Sequence, residues 1–317
     1  MSDIPKRIHI HEEGPREGFQ IEPGPVSTKD KISLIEALSE TGINQIQIAS
    51  FVNPKRVPGW SDADAVVENC SRPADVNYTA LWLNAQGLER ALKHRDKLTL
   101  GGYISMCASE PFLMRNQNRD QKQNIEVQRQ QIGLFKANGI PVEAIAVMAA
   151  FGCNFAGDIS ADTLLDTIQQ ALDLADREKL PIEKVRLADS MAWATPASIK
   201  RTLGRVRDRW PEIKISLHLH DTRGLGIANA YAGLEMGVCD FDSSVAGLGG
   251  CPFAGHRGAA GNVCTEDLVF LCEEMGIETG VKLEKLIQAA LLAERIVGHP
   301  LPGSVMHGGS LTRFRST

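Results

Sequence analysis

Eight short runs of apolar and β-branched residues, each about five to nine residues long, recur along this chain, with amphipathic stretches of about ten to twenty residues between them. The runs are RIHIHEE (7–13), QIQIASF (45–51), NYTALWL (77–83), KLTLGGYIS (97–105), VEAIAVMAA (142–150), KVRLADS (184–190), KISLHLHD (214–221) and DFDSSVAGL (240–248). Several are apolar nearly throughout, as strands buried on both faces of a parallel sheet should be. The stretches between them carry helix start signals: Ser27 or Thr28 before a segment closing on Gly42, Ser160, and Thr195 followed by Pro196. Eight strand–helix units in a row predict a (β/α)8 TIM barrel. The alternative, an open doubly wound sheet, lacks a G-x-G-x-x-G after the first run. A further helix, LEKLIQAALLAERIVG (283–298), follows the eighth unit, and the Gly- and Ser-containing tail beyond it is expected to be mobile. No linker stands out, so 1–317 reads as a single domain, with the barrel over about 5–275 and the C-terminal helix and tail at 276–317.

Charge narrows the partners. The chain has 34 basic and 39 acidic side chains and a net charge of −5, which argues against a general nucleic-acid surface but allows one cationic pocket for a small anion. The first residues, MSDIPKRIHI, contain no apolar leader segment, and the longest apolar runs are too short to span a bilayer. Seven cysteines are scattered without CxxC spacing, which predicts a reduced, cytoplasmic protein.

A barrel places its chemistry at the C-terminal ends of the strands. Those ends carry Arg16, Glu17 and Gln20, which follow a turn read at Gly14-Pro15; Gln47, Ser50 and Phe51; Asn84; Ser105, Cys107 and Ser109; Asp189 and Ser190; His218, His220 and Asp221; and Ser243 and Ser244. In HLHD (218–221), residues two apart on a strand share a face, so His218 and His220 can grip one cation together. The same spacing in HIH (9–11) lies nearer the start of its strand and is read as structural. Two imidazoles with oxygen ligands and no thiolate suit Mg²⁺, Mn²⁺, Co²⁺ or Zn²⁺, and Glu17, Asp189 and Asp221 are the carboxylate candidates. The segment SSVAGLGGCPFAGHRGAAGNVCTEDL (243–268) holds six glycines from Gly247 to Gly261 but no P-loop ending, so it is read as a lid that could bring Cys251 to a substrate.

Taken together, GPREGFQ, SFVNPKRVPG, HLHDTRGLGIANAYAGLEMGV and DSSVAGLGGCPFA…GN…TEDL resemble the 3-hydroxy-3-methylglutaryl-CoA lyase family of DRE-type, metal-dependent (β/α)8 enzymes, over about 5–300. The resemblance implies a carbon–carbon lyase that cleaves a 3-hydroxyacyl-CoA (3-hydroxy-3-methylglutaryl-CoA or a close analogue) to acetyl-CoA and an oxo acid, with Mg²⁺ or Mn²⁺. It implies Glu17, His218, His220 and Asn262 as metal ligands. Arg16 would hold the enolate oxygen, Asp189 would sit by the substrate hydroxyl, and His218 or Asp189 is a candidate base. Cys251 would act from the lid. Asn116 matches a CoA-contacting position, and Gln20, Gln47 and Asn84 complete the substrate- and CoA-binding candidates. A homodimer or higher homo-oligomer is implied as well. Two residues depart from the family pattern: Glu17 stands where an aspartate is usual, and Gln47 where a glutamate is usual. The second change is expected to leave Arg16 less neutralised. Two other readings are carried forward, a related aldolase or condensing enzyme acting on a different acyl-CoA or 2-oxo acid, and a non-catalytic metal- or CoA-binding barrel.

Overall fold

The structure, a computed structural model, describes residues 4–250 and 260–315. In chain order its strands are β1 (His9–Glu12), β2 (Gln45–Ser50), β3 (Asn77–Leu81), β4 (Gly102–Cys107), β5 (Val142–Met148), the antiparallel pair β6 (Gly152–Cys153) and β7 (Gly157–Asp158), then β8 (Lys184–Asp189), β9 (Lys214–Leu219) and β10 (Asp240–Ser243). Leaving aside the small β6–β7 hairpin, which the sequence reading missed, the strands fall on the eight apolar runs, and helices follow each of them. This is the (β/α)8 order of a TIM barrel, and it ends in the expected C-terminal helical extension, Leu283–Val297. Only β4 is clearly displaced from its run. Leu98 is apolar but lies in the turn that follows helix Ala85–Leu92, where its N–H bonds back to the His94 carbonyl at 2.8 Å.

Two compact units share the chain. One spans Leu100–Phe241 and holds β4, β5, β8 and β9 as parallel neighbours in that order. Its strand interiors are apolar on alternate residues or throughout, and Ile104, Met106, Ile145, Val147, Val185, Leu187, Leu217 and Leu219 are all fully buried. Helix Ala161–Arg177 turns Leu164, Leu165, Ile168, Ala171 and Leu174 inward, and Ser160 caps it by accepting from Thr163 N–H at 3.1 Å. Thr195 caps helix Pro196–Arg209 in a reciprocal box with Ser198. Two buried amides clamp β4 from helix Gln121–Ala137: Gln128 accepts from Ser105 N–H at 2.8 Å and Asn124 donates to the Ser105 carbonyl at 2.9 Å.

The other unit spans Lys6–Thr99, Asp242–Gly250 and 260–315. Here β1, β2 and β3 are parallel neighbours, and the register shifts just after Gln47. The sequence reading placed a turn at Gly14-Pro15. Instead a helix, Gly14–Ile21, begins there, because Pro15 fits the first turn of a helix without losing a hydrogen bond. Arg16 and Glu17 therefore stand in a helical first turn. The tail expected to be mobile is tied down: Asp267 accepts from the Ser304 and Val305 N–H groups at 3.1 and 2.7 Å, and Ser310 donates to Glu284. Short helices form at Val305–Gly308 and Thr312–Arg315.

Glu12, at the end of β1, is fully buried and joins four segments of this unit. One carboxylate oxygen accepts from Gly14 N–H at 2.7 Å and Val245 N–H at 2.9 Å, and the other accepts from the Thr265 hydroxyl at 2.6 Å. A side chain at position 14 has no room, because a Cβ would lie 2.6 Å from that carboxylate. Burial raises the Glu12 pKa from 4.5 to about 7 against the pull of these three donors, with nearby Glu266 adding repulsion. The folded protein thus keeps a proton that the unfolded chain releases, so the stability contributed by this group is full below pH 4.5 and is lost as pH rises through about 7. In denaturant melts, Glu12→Gln is expected to flatten that pH dependence. Glu12→Ala is expected to lower stability by about 3 kcal/mol, because it strands buried donors; an unchanged midpoint would count against the four-way tie.

Candidate metal and oxyanion site

In the Leu100–Phe241 unit, β9 alternates buried leucines with histidines. Leu217 and Leu219 enter the core, so His218 and His220 share the opposite parity. Their Nε2 atoms converge to 3.1 Å, with ring centroids 5.0 Å apart and tilted by 47°. Neighbouring ligands at about 2.1 Å from one ion stand about 3 Å apart at right angles, so this pair has the spacing of a two-nitrogen jaw. The HIH segment does not repeat it: His9 is exposed and His11 is buried, with Nε2 3.1 Å from the Thr79 hydroxyl.

Asp189 ends β8, fully buried. Its two oxygens accept from the Trp193 and Ala194 N–H groups at 2.8 and 2.9 Å, which shapes the turn after the strand. Burial raises its pKa to about 6, opposed by those N–H groups and by Arg223 and His218. It is a carboxyl group able to change protonation near neutral pH. Asp221 accepts from Gly226 N–H at 2.6 Å and so tethers the start of helix Gly226–Glu235. The Cys107 thiol, buried and donating to the Ser109 carbonyl at 3.2 Å, is pushed up to about 12 and kept out of nucleophilic chemistry. Asn116 lies half-buried on helix Glu110–Gln117.

The second unit holds the other candidates. Arg16 donates from Nη2 to Glu13 Oε2 at 2.7 Å and from Nε to the Gln47 side-chain carbonyl. Trp60, fully buried, donates its indole N–H to the Arg16 carbonyl at 2.8 Å, and Lys31 stacks over its ring with Nζ 4.7 Å from the centroid. The expectation that Gln47 leaves Arg16 under-neutralised is thereby corrected, because Glu13 supplies the negative charge one helical turn away. Nothing in the sequence marked Glu13 beyond its place beside Glu12. Trp60 carried a weak signal, since a buried indole needs an acceptor.

Glu17 is buried and its Oε2 accepts from Asn262 Nδ2 at 2.7 Å. That contact turns the Asn262 Oδ1 the other way, where it is buried with no hydrogen-bond partner among the described residues. An orphaned amide oxygen beside a carboxylate is a donor set that fits a divalent cation. The extra methylene of Glu17 lies against Gly249, whose φ of +124° suits glycine, and a Cβ there would come within 2.9 Å of Glu17 Cγ. Gln20 is half-buried in the last turn of the Gly14–Ile21 helix. Asn84 is exposed and caps helix Ala85–Leu92 by accepting from Gly87 N–H at 2.9 Å. Cys251 lies outside the described residues.

The family model described as HMGL-like matches residues 7–292. The chain is 37% identical to the hydroxymethylglutaryl-CoA lyase of Bacillus subtilis over 302 residues, covering 94% of this chain and 96% of that protein. It is 37% identical to the mitochondrial hydroxymethylglutaryl-CoA lyase of Homo sapiens, covering 91% of this chain and 85% of that one. Among solved structures, the Bacillus subtilis HMG-CoA lyase superposes with a TM-score of 0.87 at 35% identity, covering 96% of this chain and 98% of that chain. An HMG-CoA lyase from Acinetobacter baumannii, in complex with coenzyme A and 3-methylmalate, superposes with a TM-score of 0.86 at 34% identity, covering 97% of this chain and 96% of that chain.

Shortening the acid should break the Glu17–Asn262 contact, because removing one methylene withdraws the carboxylate by roughly 1.5 Å. Glu17→Asp is expected to cost about 1 kcal/mol in chemical denaturation. Gly249→Ala is expected to cost more, since it adds backbone strain to the clash; equal stability in both variants would refute the packing described.

Proposed function

The chain belongs to the hydroxymethylglutaryl-CoA lyase family, the HMGL-like group, and from that premise we infer how its residues work as a divalent-metal-dependent carbon–carbon lyase. The reaction cleaves a 3-hydroxyacyl-CoA, 3-hydroxy-3-methylglutaryl-CoA or a close analogue, to acetyl-CoA and an oxo acid. The observation that carries the site assignment is the convergence of the His218 and His220 Nε2 atoms at 3.1 Å. We assign these two, with Glu17 and the Asn262 Oδ1, as the residues that hold the ion. Mg²⁺ or Mn²⁺ suits a set with two oxygen donors best. When bound, the ion lowers the pKa of the substrate hydroxyl and polarises the oxygens around it.

The rest of the chemistry falls to the protein's own groups. The C3 hydroxyl must lose its proton, the C2–C3 bond breaks to leave a ketone on the oxo acid, and the electron pair becomes the enolate of acetyl-CoA. Asp189, with a pKa near 6 and its turn fixed by two backbone N–H groups, is the acceptor proposed for the hydroxyl proton. The Arg16 guanidinium is assigned to hold the enolate oxygen. Cys251 is assigned the final protonation of the acetyl carbon on sequence grounds alone.

The related enzyme captured with coenzyme A and 3-methylmalate supports an acyl-CoA whose acyl part carries a hydroxyl and a carboxylate. Gln20, Gln47, Asn84 and Asn116 are proposed for substrate and CoA contacts, with Gln47 acting through Arg16. No helix among the described residues is long and apolar enough to cross a membrane. The six described cysteines are all free, which supports a cytoplasmic setting, and the family resemblance supports a homodimer or higher homo-oligomer.

Purified protein with Mg²⁺ or Mn²⁺ is expected to release acetyl-CoA from at least one member of a panel of 3-hydroxyacyl-CoAs, followed by thioester analysis. Tight CoA binding with no release from any of them would favour the non-catalytic barrel. His220→Ala is expected to lose bound Mn²⁺, read by paramagnetic resonance, together with turnover; full retention of the ion would sink the ligand assignment.

A further inference from the structure

Arg16 has two polar tethers, and they are unequal. Gln47 offers a neutral carbonyl to Nε, whereas Glu13 offers a full negative charge to Nη2 at 2.7 Å. Both members of the pair are shielded, with side-chain exposures of 12% for Arg16 and 3% for Glu13, so their attraction is little weakened by solvent. The two tethers commit two of the five guanidinium N–H donors, on one edge of the fork, and leave the opposite edge for another oxygen.

His11 and Asp242 stand close behind Glu13, with no hydrogen bond to the His11 Nδ1 among the described residues. The other Glu13 oxygen, Oε1, lies 3.5 Å from His11 Nδ1, and that nitrogen lies 3.4 Å from Asp242 Oδ1. The His11 ring is fixed at its far side by the Thr79 hydroxyl, 3.1 Å from Nε2. All three of His11, Glu13 and Asp242 are buried. A buried row of groups ending on an arginine fixes where that arginine points more firmly than a solvent-exposed pair does.

We propose that Glu13 is the positioning residue for Arg16, and that in this chain Glu13 provides the counter-charge which aims the guanidinium at the substrate oxygen. The proposal rests on the lyase reading above. It gives Gln47 a defined part: a neutral tether suffices on the β2 side because the charge enters from the turn after β1. Two carboxylates on one guanidinium would over-neutralise it and weaken its hold on a developing oxyanion.

The test is a charge exchange. Glu13→Gln keeps the shape and removes the charge, and it is expected to lower kcat by roughly 10- to 100-fold with KM changed by less than about threefold, as misplacement of a transition-state contact does. The double variant Glu13→Gln with Gln47→Glu returns one carboxylate to Arg16 from the other side and is expected to recover most of the lost kcat. Thermal melts identify any variant that fails to fold, and the conservative Glu13→Asp provides a second probe, expected to be intermediate. Wild-type kcat in a folded Glu13→Gln protein overturns the proposal, as does a folded double variant no better than the single one. A readout without substrate keeps this separate from the lyase reading: phenylglyoxal labelling of Arg16, mapped by peptide mass spectrometry, is expected to be several-fold faster in Glu13→Gln than in wild type. Equal labelling rates defeat the proposal even if every thioester is cleaved. Faster labelling supports it even if none is.

Discussion

The carboxylate of Glu12 is the point on which the Lys6–Thr99 unit and its companion segments depend. Three donors from three places in the sequence, Gly14, Val245 and Thr265, meet on one buried acid. Those three residues begin the helix that carries Arg16 and Glu17, the turn that leads to Gly249, and the helix that follows Asn262. A local strand-end residue therefore sets the mutual placement of groups far apart in sequence. Burial makes the arrangement exacting, because in a low-dielectric interior an acid keeps its place only when its oxygens are satisfied.

The charges at the helix start are arranged around that anchor in a graded way. Arg16 is paired with one carboxylate and one amide, and its backbone carbonyl is occupied by Trp60. Glu17, one residue on, faces Asn262 instead. The neighbouring opposite charges of Arg16 and Glu17 are thus separated into two environments by the helical rotation between them. One side chain meets a counter-charge, and the other orients an amide.

Much of this was legible beforehand. The eight apolar runs gave the strand order, and the alternation in KISLHLHD identified His218 and His220 as a pair, because period and parity are local properties of a strand. The caps at Ser160 and Thr195 were legible for the same reason. What escaped was non-local or set by backbone detail. Glu13 gained its meaning only from the helix that rotates it toward Arg16, and the sequence suggested a turn there. Trp60 lies 44 residues from the carbonyl it bonds. The helix cap made by the Asn84 side-chain oxygen was likewise not marked in the sequence. The family pattern flagged Gln47 as a missing charge, but a comparison made one position at a time could not reveal that Glu13 pairs with Arg16.

The contact between Glu17 and Gly249 has a consequence for how this chain can vary. The longer acid occupies space that any side chain at position 249 would need, and the backbone at Gly249 sits where other residues are strained. The two positions are therefore epistatic. Replacing the glycine is strained by the backbone in any background and is penalised further where a glutamate fills the space, and a glutamate transplanted into a relative would be accommodated only alongside a glycine in the matching loop. A change at either position is thus felt at the other, so the choice of acid on the helix and the shape of the loop beyond it are tied together.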